Sequence, residues 1–74
     1  MPEHTDWELL AANILKAELK RKGVTYAQLV EKLAGLGISE KEVNVRNKLS
    51  RGKFTAAFFL QCVQAIGVTD LRLG

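Results

Sequence analysis

Cationic and amide side chains that could bind a nucleic acid are concentrated between residues 44 and 53. This stretch contains two asparagines and four cations: Asn44, Arg46, Asn47, Lys48, Arg51 and Lys53. Arg and Lys bind phosphate groups, and in the major groove Arg can pair with the edge of guanine and Asn with the edge of adenine. Because the stretch contains no acidic residue, we expect its positive charge to be uncompensated and to attract an anionic partner.

The charges of the whole chain are unevenly distributed. The 74 residues carry a net charge of only +3, yet residues 1–15 hold three acids and no Lys or Arg. Residues 41–53 hold five cations against Glu42 alone. This asymmetry points to an anionic partner more strongly than the total charge does.

Catalytic and metal-binding chemistry finds little support in the composition. The single cysteine, Cys62, excludes an internal disulfide, and with His4 as the only histidine the chain lacks a cluster of metal ligands. Nucleophilic catalysis needs a base beside the nucleophile, and this histidine lies in the N-terminal tail. The acids Glu31, Glu40, Glu42 and Asp70 are expected at exposed positions. We therefore expect no enzyme activity, no metal and no small-molecule cofactor.

The sequence also bears on location. No stretch approaches the roughly 20 consecutive apolar residues that a membrane-spanning helix needs. The N-terminus is acidic, whereas a secretory signal begins with basic residues followed by apolar ones. We expect a cytoplasmic protein without a membrane partner.

Three short capping patterns predict an all-α fold. Thr5–Glu8, Thr25–Gln28 and Ser39–Glu42 each pair an N-cap hydroxyl with an acid or amide three residues later. Together with apolar periodicity they predict helices over 6–22, 26–34, 40–51 and 56–66, the last capped by Thr55, and a short turn from Thr69. The chain should form one compact bundle of four to five short helices over residues 1–74, with residues 1–5 as a disordered tail.

Helical periodicity also predicts the buried faces. In the first helix the apolar stripe comprises Trp7, Leu10, Ala11, Ile14 and Ala17, widened by Leu15 and Leu19. The third helix should bury Val45 and Leu49, so that Asn44, Asn47 and Arg51 project outward. The broad apolar face of the fourth helix comprises Phe58, Phe59, Cys62, Val63 and Ile66. Trp7 is expected at the core or its rim, with a dimer contact as the alternative.

Three segments of the chain read "KGVTYAQLVEKL", "SRGK" and "TAAFFLQCVQAIGVTDL". They resemble the lambda-repressor-like (Xre-type) helix-turn-helix family of bacterial and phage regulators. The stretch "NVRNKLSRGKFTAAFFLQC" also looks like an uncharacterised bacterial domain family that is grouped with helix-turn-helix proteins. The resemblance implies a helix-turn-helix core whose third helix enters the major groove of DNA.

The chain departs from the Xre-type pattern at three places. The segment between Leu29 and Gly52 is several residues longer than usual, so the turn and the third helix are both expected to be extended. Val30 stands where the family prefers a small alanine, which alters how closely the two helices cross. Tyr26 stands where the family often has a phosphate-binding glutamine, and its hydroxyl could take that role.

These observations predict a transcriptional regulator that binds double-stranded DNA. The expected contacts are Arg46, Asn47, Lys48 and Arg51 in the groove together with Asn44, and Lys53, Tyr26 and Lys41 on phosphates. One module offers few base contacts, so specificity is expected to need a homodimer or a partner protein. The alternative is a protein–protein interaction module, antitoxin-like or a regulatory adaptor, that keeps the fold without binding DNA. RNA binding is a weaker third reading, and the sequence names no target site.

Overall fold

Four α-helices make up the regular structure of residues 6–73. The computed structural model describes residues 6–73, with α1 at Trp7–Lys22, α2 at Tyr26–Gly35, α3 at Glu42–Arg51 and α4 at Ala56–Ala65. Within these residues the structure contains no strand. The prediction of a compact all-α fold is confirmed. None of the described helices is both long and apolar enough to cross a membrane.

Two of the predicted helix caps are present. The Thr25 hydroxyl accepts a hydrogen bond from the Gln28 amide N–H at 3.1 Å, and the Gln28 side chain accepts one from the Thr25 N–H at 2.9 Å. This reciprocal capping box satisfies two amide groups that the first turn of α2 leaves unpaired. Thr55 caps α4 by accepting from the Phe58 N–H at 3.0 Å.

The other two predicted caps are not as expected. The N-cap of α1 is Asp6, which accepts from the Leu9 N–H at 3.2 Å; Thr5 and the expected tail lie outside the described residues. Ser39 does not cap α3, which begins at Glu42 rather than Glu40. The physical reason is that the backbone is still extended at Lys41, with φ −113° and ψ 145°.

The core is built from one apolar stripe on each helix. Its buried side chains are Leu15, Leu19, Leu29, Leu33, Val45, Leu49, Phe58, Cys62, Val63 and Ile66. The predicted faces of α3 and α4 are confirmed, with Phe59 half-buried beside the others. Residues 66–73, which follow α4, contain no further helix, but Leu71 returns to pack against the core.

The buried face of α1 differs from the predicted one. The residues of α1 that are buried are Ala12, Leu15, Glu18 and Leu19, whereas Trp7 and Ala17 are exposed. Trp7, which was expected at the core or its rim, does not lie in the core, because 72% of its surface is exposed. Among the helices α1 packs against α3 and α4, and Leu10, Ala11 and Ile14 on its adjoining stripe are only half-buried.

The end of α3 lies directly against the start of α1. Gly52 follows α3 with a positive φ of 71°, a conformation that glycine adopts without steric cost. A Cβ atom at this position would overlap the carbonyl oxygen of Glu8. Gly52 therefore allows both the turn and the close approach of α1, which together fix where α3 ends.

Candidate nucleic-acid interface

The α3 helix is held by two buried side chains and presents its other side to solvent. Val45 and Leu49 are fully buried, while Asn44, Asn47 and Arg51 are exposed. Since α3 packs against both α1 and α2, its outward face is presented by a helix fixed from two sides. The predicted orientation of α3 is confirmed.

The connection between α2 and α3 runs over residues 36–41, and α3 itself has 10 residues. The expectation that the turn and α3 are both longer than in Xre-type proteins stays a prediction. The turn is closed at its start, where the Ile38 N–H donates to the Leu33 carbonyl at 2.9 Å and Gly37 has a φ of 81°. Partly buried Ile38 then anchors the turn to the core.

The predicted site residues fall into two groups by exposure. Those exposed to solvent are Lys41, Asn44, Arg46, Asn47, Arg51 and Lys53. Tyr26 and Lys48 are half-buried. The structure brings Tyr26 and Arg46 together, with the Arg46 guanidinium carbon 5.8 Å from the centre of the Tyr26 ring. This contact joins the first residue of α2 to the exposed side of α3.

Three of the four cations between residues 44 and 53 form ion pairs. Arg46 pairs with Glu42 at 2.8 Å, Lys48 with Glu40 at 2.7 Å, and Lys53 with Glu8 at 3.2 Å. The expectation of an uncompensated basic segment is therefore wrong for these three. The acids come from outside the segment: from the first turn of α3, from the preceding connection and from α1. Arg51 has no ion-pair partner among residues 6–73.

The Lys48–Glu40 pair belongs to the edge of the core. The side chains of Lys48 and Glu40 are only 34% and 14% exposed, so the expectation of an exposed Glu40 is wrong. The Lys48 ammonium also lies 4.4 Å from the centre of the Phe58 ring, where the ring electrons attract a cation. Because its charged end is already engaged, Lys48 is poorly placed for the base contact predicted from the sequence.

The other two pairs lie in solvent. The side chains of Lys53 and Glu8 are 68% and 55% exposed, and those of Arg46 and Glu42 are similarly open. Exposed pairs of this kind contribute only about 0–1 kcal/mol. Arg46 and Lys53 can therefore exchange a carboxylate for a phosphate at small cost.

Val43 is a surface residue of α3 that is not among the DNA contacts predicted from the sequence. It is 55% exposed and lies one helical turn before Asn47 on the outward side. Helical spacing in the sequence predicts this exposure, because burial of Val45 and Leu49 places residues 43 and 47 on the opposite side of the helix. An apolar group at this position can contact the methyl group of thymine.

Cys62 lies beneath this surface and does not form a reactive site. Its side chain is fully buried. Burial, reinforced by the negative charge of Glu40 and opposed by Lys48, raises the pKa of the Cys62 thiol from 9.0 to about 12. A protonated, buried thiol is a poor nucleophile. Among residues 6–73, no group of three His, Cys, Asp or Glu side chains is arranged to hold a metal ion.

Residues 7–71 match the family model described as "Domain of unknown function (DUF6471)". The chain belongs to this family. Comparison with curated proteins and with solved structures finds no match in either case. The family description names no activity, and the resemblance to Xre-type regulators stays a prediction. What the DUF6471 domain does must therefore be argued from its own surface.

Proposed function

We propose that this DUF6471 domain binds double-stranded DNA by placing α3 in the major groove, as part of a transcriptional regulator. The observation that carries the proposal is the outward face of α3, where exposed Asn44, Asn47 and Arg51 lie together on a helix anchored by Val45 and Leu49. A rigid helix that presents amides and a guanidinium can read base edges, because its side chains need little further ordering.

Different residues would take different roles in the complex. Asn47 and Arg51, one turn apart, would contact base edges, with Asn44 beside them. Arg51 is favoured for a guanine contact, since it has no ion-pair partner within residues 6–73.

Phosphate contacts would flank these base contacts. Lys41 stands at the start of α3 and Lys53 just after its end, and Arg46 with Tyr26 lies on the side toward α2. Three to four phosphate contacts would weaken binding by roughly 40- to 150-fold as salt rises from about 50 to about 200 mM. Lys48 would contribute little, since Glu40 engages its ammonium group and compensates its charge.

The test is a titration of the isotope-labelled protein with a mixed-sequence duplex at low and moderate salt, followed by NMR and fluorescence anisotropy. Amide shifts are expected in residues 41–53 and at Tyr26. Arg51→Ala should lose about 5- to 150-fold in affinity for a preferred sequence, the range of a bidentate base contact. Lys32→Ala removes the same charge from the exposed surface of α2 and should have much less effect. No shifts at low salt, or equal losses in both variants, would overturn the proposal.

One observation favours a second function, protein–protein interaction. An apolar groove of about 470 Å³ lies between the first half of α1, the start of α4 and the C-terminal segment. Its main side chains are Trp7, Leu10, Ile14, Phe54, Phe59 and Leu73. An antitoxin-like or adaptor role would use such a surface and would not depend on Arg51. Partner binding that is insensitive to salt and lost in Trp7→Ser would support this role.

A further inference from the structure

The apolar groove is built from the stripe of α1 that the core does not use. Trp7 is 72% exposed and lines the groove with Leu10 and Ile14, while Phe54 and Phe59 form the opposite wall. Every residue within 6–73 that lines the groove is uncharged. A large exposed tryptophan beside such a groove is typical of an interface, because Trp side chains supply much of the binding energy where proteins associate.

We propose that a second copy of this chain covers the groove, with the two α1 helices packed antiparallel around a two-fold axis. The proposal goes beyond DNA binding and does not depend on it. A two-fold interface joins the same patch on both copies, so the patch must be complementary to itself in shape and in charge. The groove and its rim meet the charge condition.

The charges of α1 favour an antiparallel partner of identical sequence. Its acidic start carries Asp6 and Glu8, and its last turn carries Lys20, Arg21 and Lys22. Reversing one helix against the other brings each acidic start toward the partner's basic end, which favours this orientation over the parallel one.

The charges at the rim of the groove also favour a second copy of this chain as the partner. Glu8 and Lys53 directly adjoin the groove residues Trp7 and Phe54 in sequence, and they form an exposed ion pair. Both signs of charge are therefore present at one edge, and two copies related by the axis can exchange these partners.

A dimer formed through the groove is expected to be weak. A standard interface buries about 800 Å² on each partner, which is roughly a seventh of the 5256 Å² accessible surface of this chain. Two tryptophans bury about 150–250 Å² each, and Leu10, Ile14 and Phe59 supply further apolar area. An interface of this size with few charged anchors is expected to associate in the micromolar range.

The sequence contains one tryptophan, Trp7, so its fluorescence reports directly on the groove. The intact chain would be studied by sedimentation velocity and Trp7 emission from about 1 μM to about 1 mM. We expect the mass to double and the emission maximum to shift to shorter wavelength over the same concentration range.

Trp7→Ser should remain monomeric at concentrations at least about tenfold above the wild-type midpoint. Leu60→Ser is the matched control, because Leu60 is a comparably exposed apolar residue, at 60%, on α4 but outside the groove. Circular dichroism of both variants verifies that they are folded. A wild-type chain that stays monomeric, a dimer that survives Trp7→Ser, or a dimer that is lost equally in Leu60→Ser would overturn the proposal. DNA titration of Trp7→Ser is a separate measurement, so failure of the dimer leaves the proposed function to its own test.

Discussion

Replacing Gly52 by alanine tests the junction that fixes the end of α3. The backbone at Gly52 has a φ of 71°, and an added Cβ would overlap the Glu8 carbonyl oxygen. Gly23, which follows α1, has nearly the same φ of 68°, but no atom of the described chain outside its own immediate neighbourhood lies within 4 Å of a Cβ there. Both variants therefore incur the cost of a positive φ, but only Gly52→Ala also incurs the cost of a steric overlap.

The magnitudes follow from these two costs. A positive φ costs a non-glycine residue about 1–2 kcal/mol, which Gly23→Ala and Gly52→Ala both incur. Forcing an extra methyl group into a packed position costs a further 1–3 kcal/mol or so, which only Gly52→Ala incurs. For a domain of this size each kcal/mol lowers the Tm by about 4–8 °C. Gly52→Ala should therefore melt at least about 4 °C below Gly23→Ala.

The assay is thermal and urea unfolding of the wild type and both variants, followed by circular dichroism. Equal losses of stability would refute the close approach of α1 to Gly52. Gly52→Ala should also disturb the neighbouring residues of the candidate site, because Glu8 forms an ion pair with Lys53 at this junction. Amide shifts in Gly52→Ala are expected around Arg51 and Lys53, whereas Gly23→Ala should leave both unchanged.

Two further predictions concern charge and pH. Glu42→Gln and Glu8→Gln should each raise affinity for DNA by about two- to fivefold at low salt, since each releases a cation from an exposed pair; unchanged affinity in anisotropy titrations would show that Arg46 and Lys53 lie outside the interface. Burial raises the pKa of Cys62 from 9.0 to about 12, so the folded state keeps a proton that the unfolded state loses. The stability that this proton provides is complete below pH 9 and is lost as pH rises toward about 12. Urea midpoints measured across this range should fall more steeply in the wild type than in Cys62→Ala, and parallel curves would contradict the assignment.

Much of the fold could be predicted because its signals are local. The capping box at Thr25 and the cap at Thr55 depend on residues three positions away. The apolar face of α4 depends on helical periodicity alone. The start of α3 could not be obtained this way. Its position depends on a connection that is tied to the core by Ile38 and to α3 by the Glu40–Lys48 pair.

Periodicity predicted burial of Leu15 and Leu19 correctly but could not define the whole buried face of α1. Two adjoining stripes of α1 are apolar, and periodicity cannot say which of them meets the neighbouring helices. The structure buries the stripe with Ala12, Leu15 and Leu19 and leaves Trp7, Leu10 and Ile14 lining the groove. Packing against α3 and α4, which are distant in sequence, made this choice.

The exposed residues of the candidate site were predictable, but their ion pairs were not. Val45 and Leu49 set the orientation of α3, and this was enough to place Asn44, Asn47 and Arg51 outside. The pairing of Lys53 with Glu8 spans 45 residues of sequence, and that of Lys48 with Glu40 spans eight. A count of charges within one segment cannot detect partners that folding brings from elsewhere.

The longer turn between α2 and α3 raises the question whether α3 can still reach a groove. A turn of three or four residues is usual in helix-turn-helix proteins, and here the connection covers residues 36–41. The added residues have not separated the two helices, since α2 and α3 remain packed together and Arg46 lies over the Tyr26 ring. The first residue of α2 and the exposed side of α3 therefore still form one continuous surface. That continuity is what simultaneous contact with a phosphate and a base edge requires, so the longer turn is compatible with the proposed DNA binding.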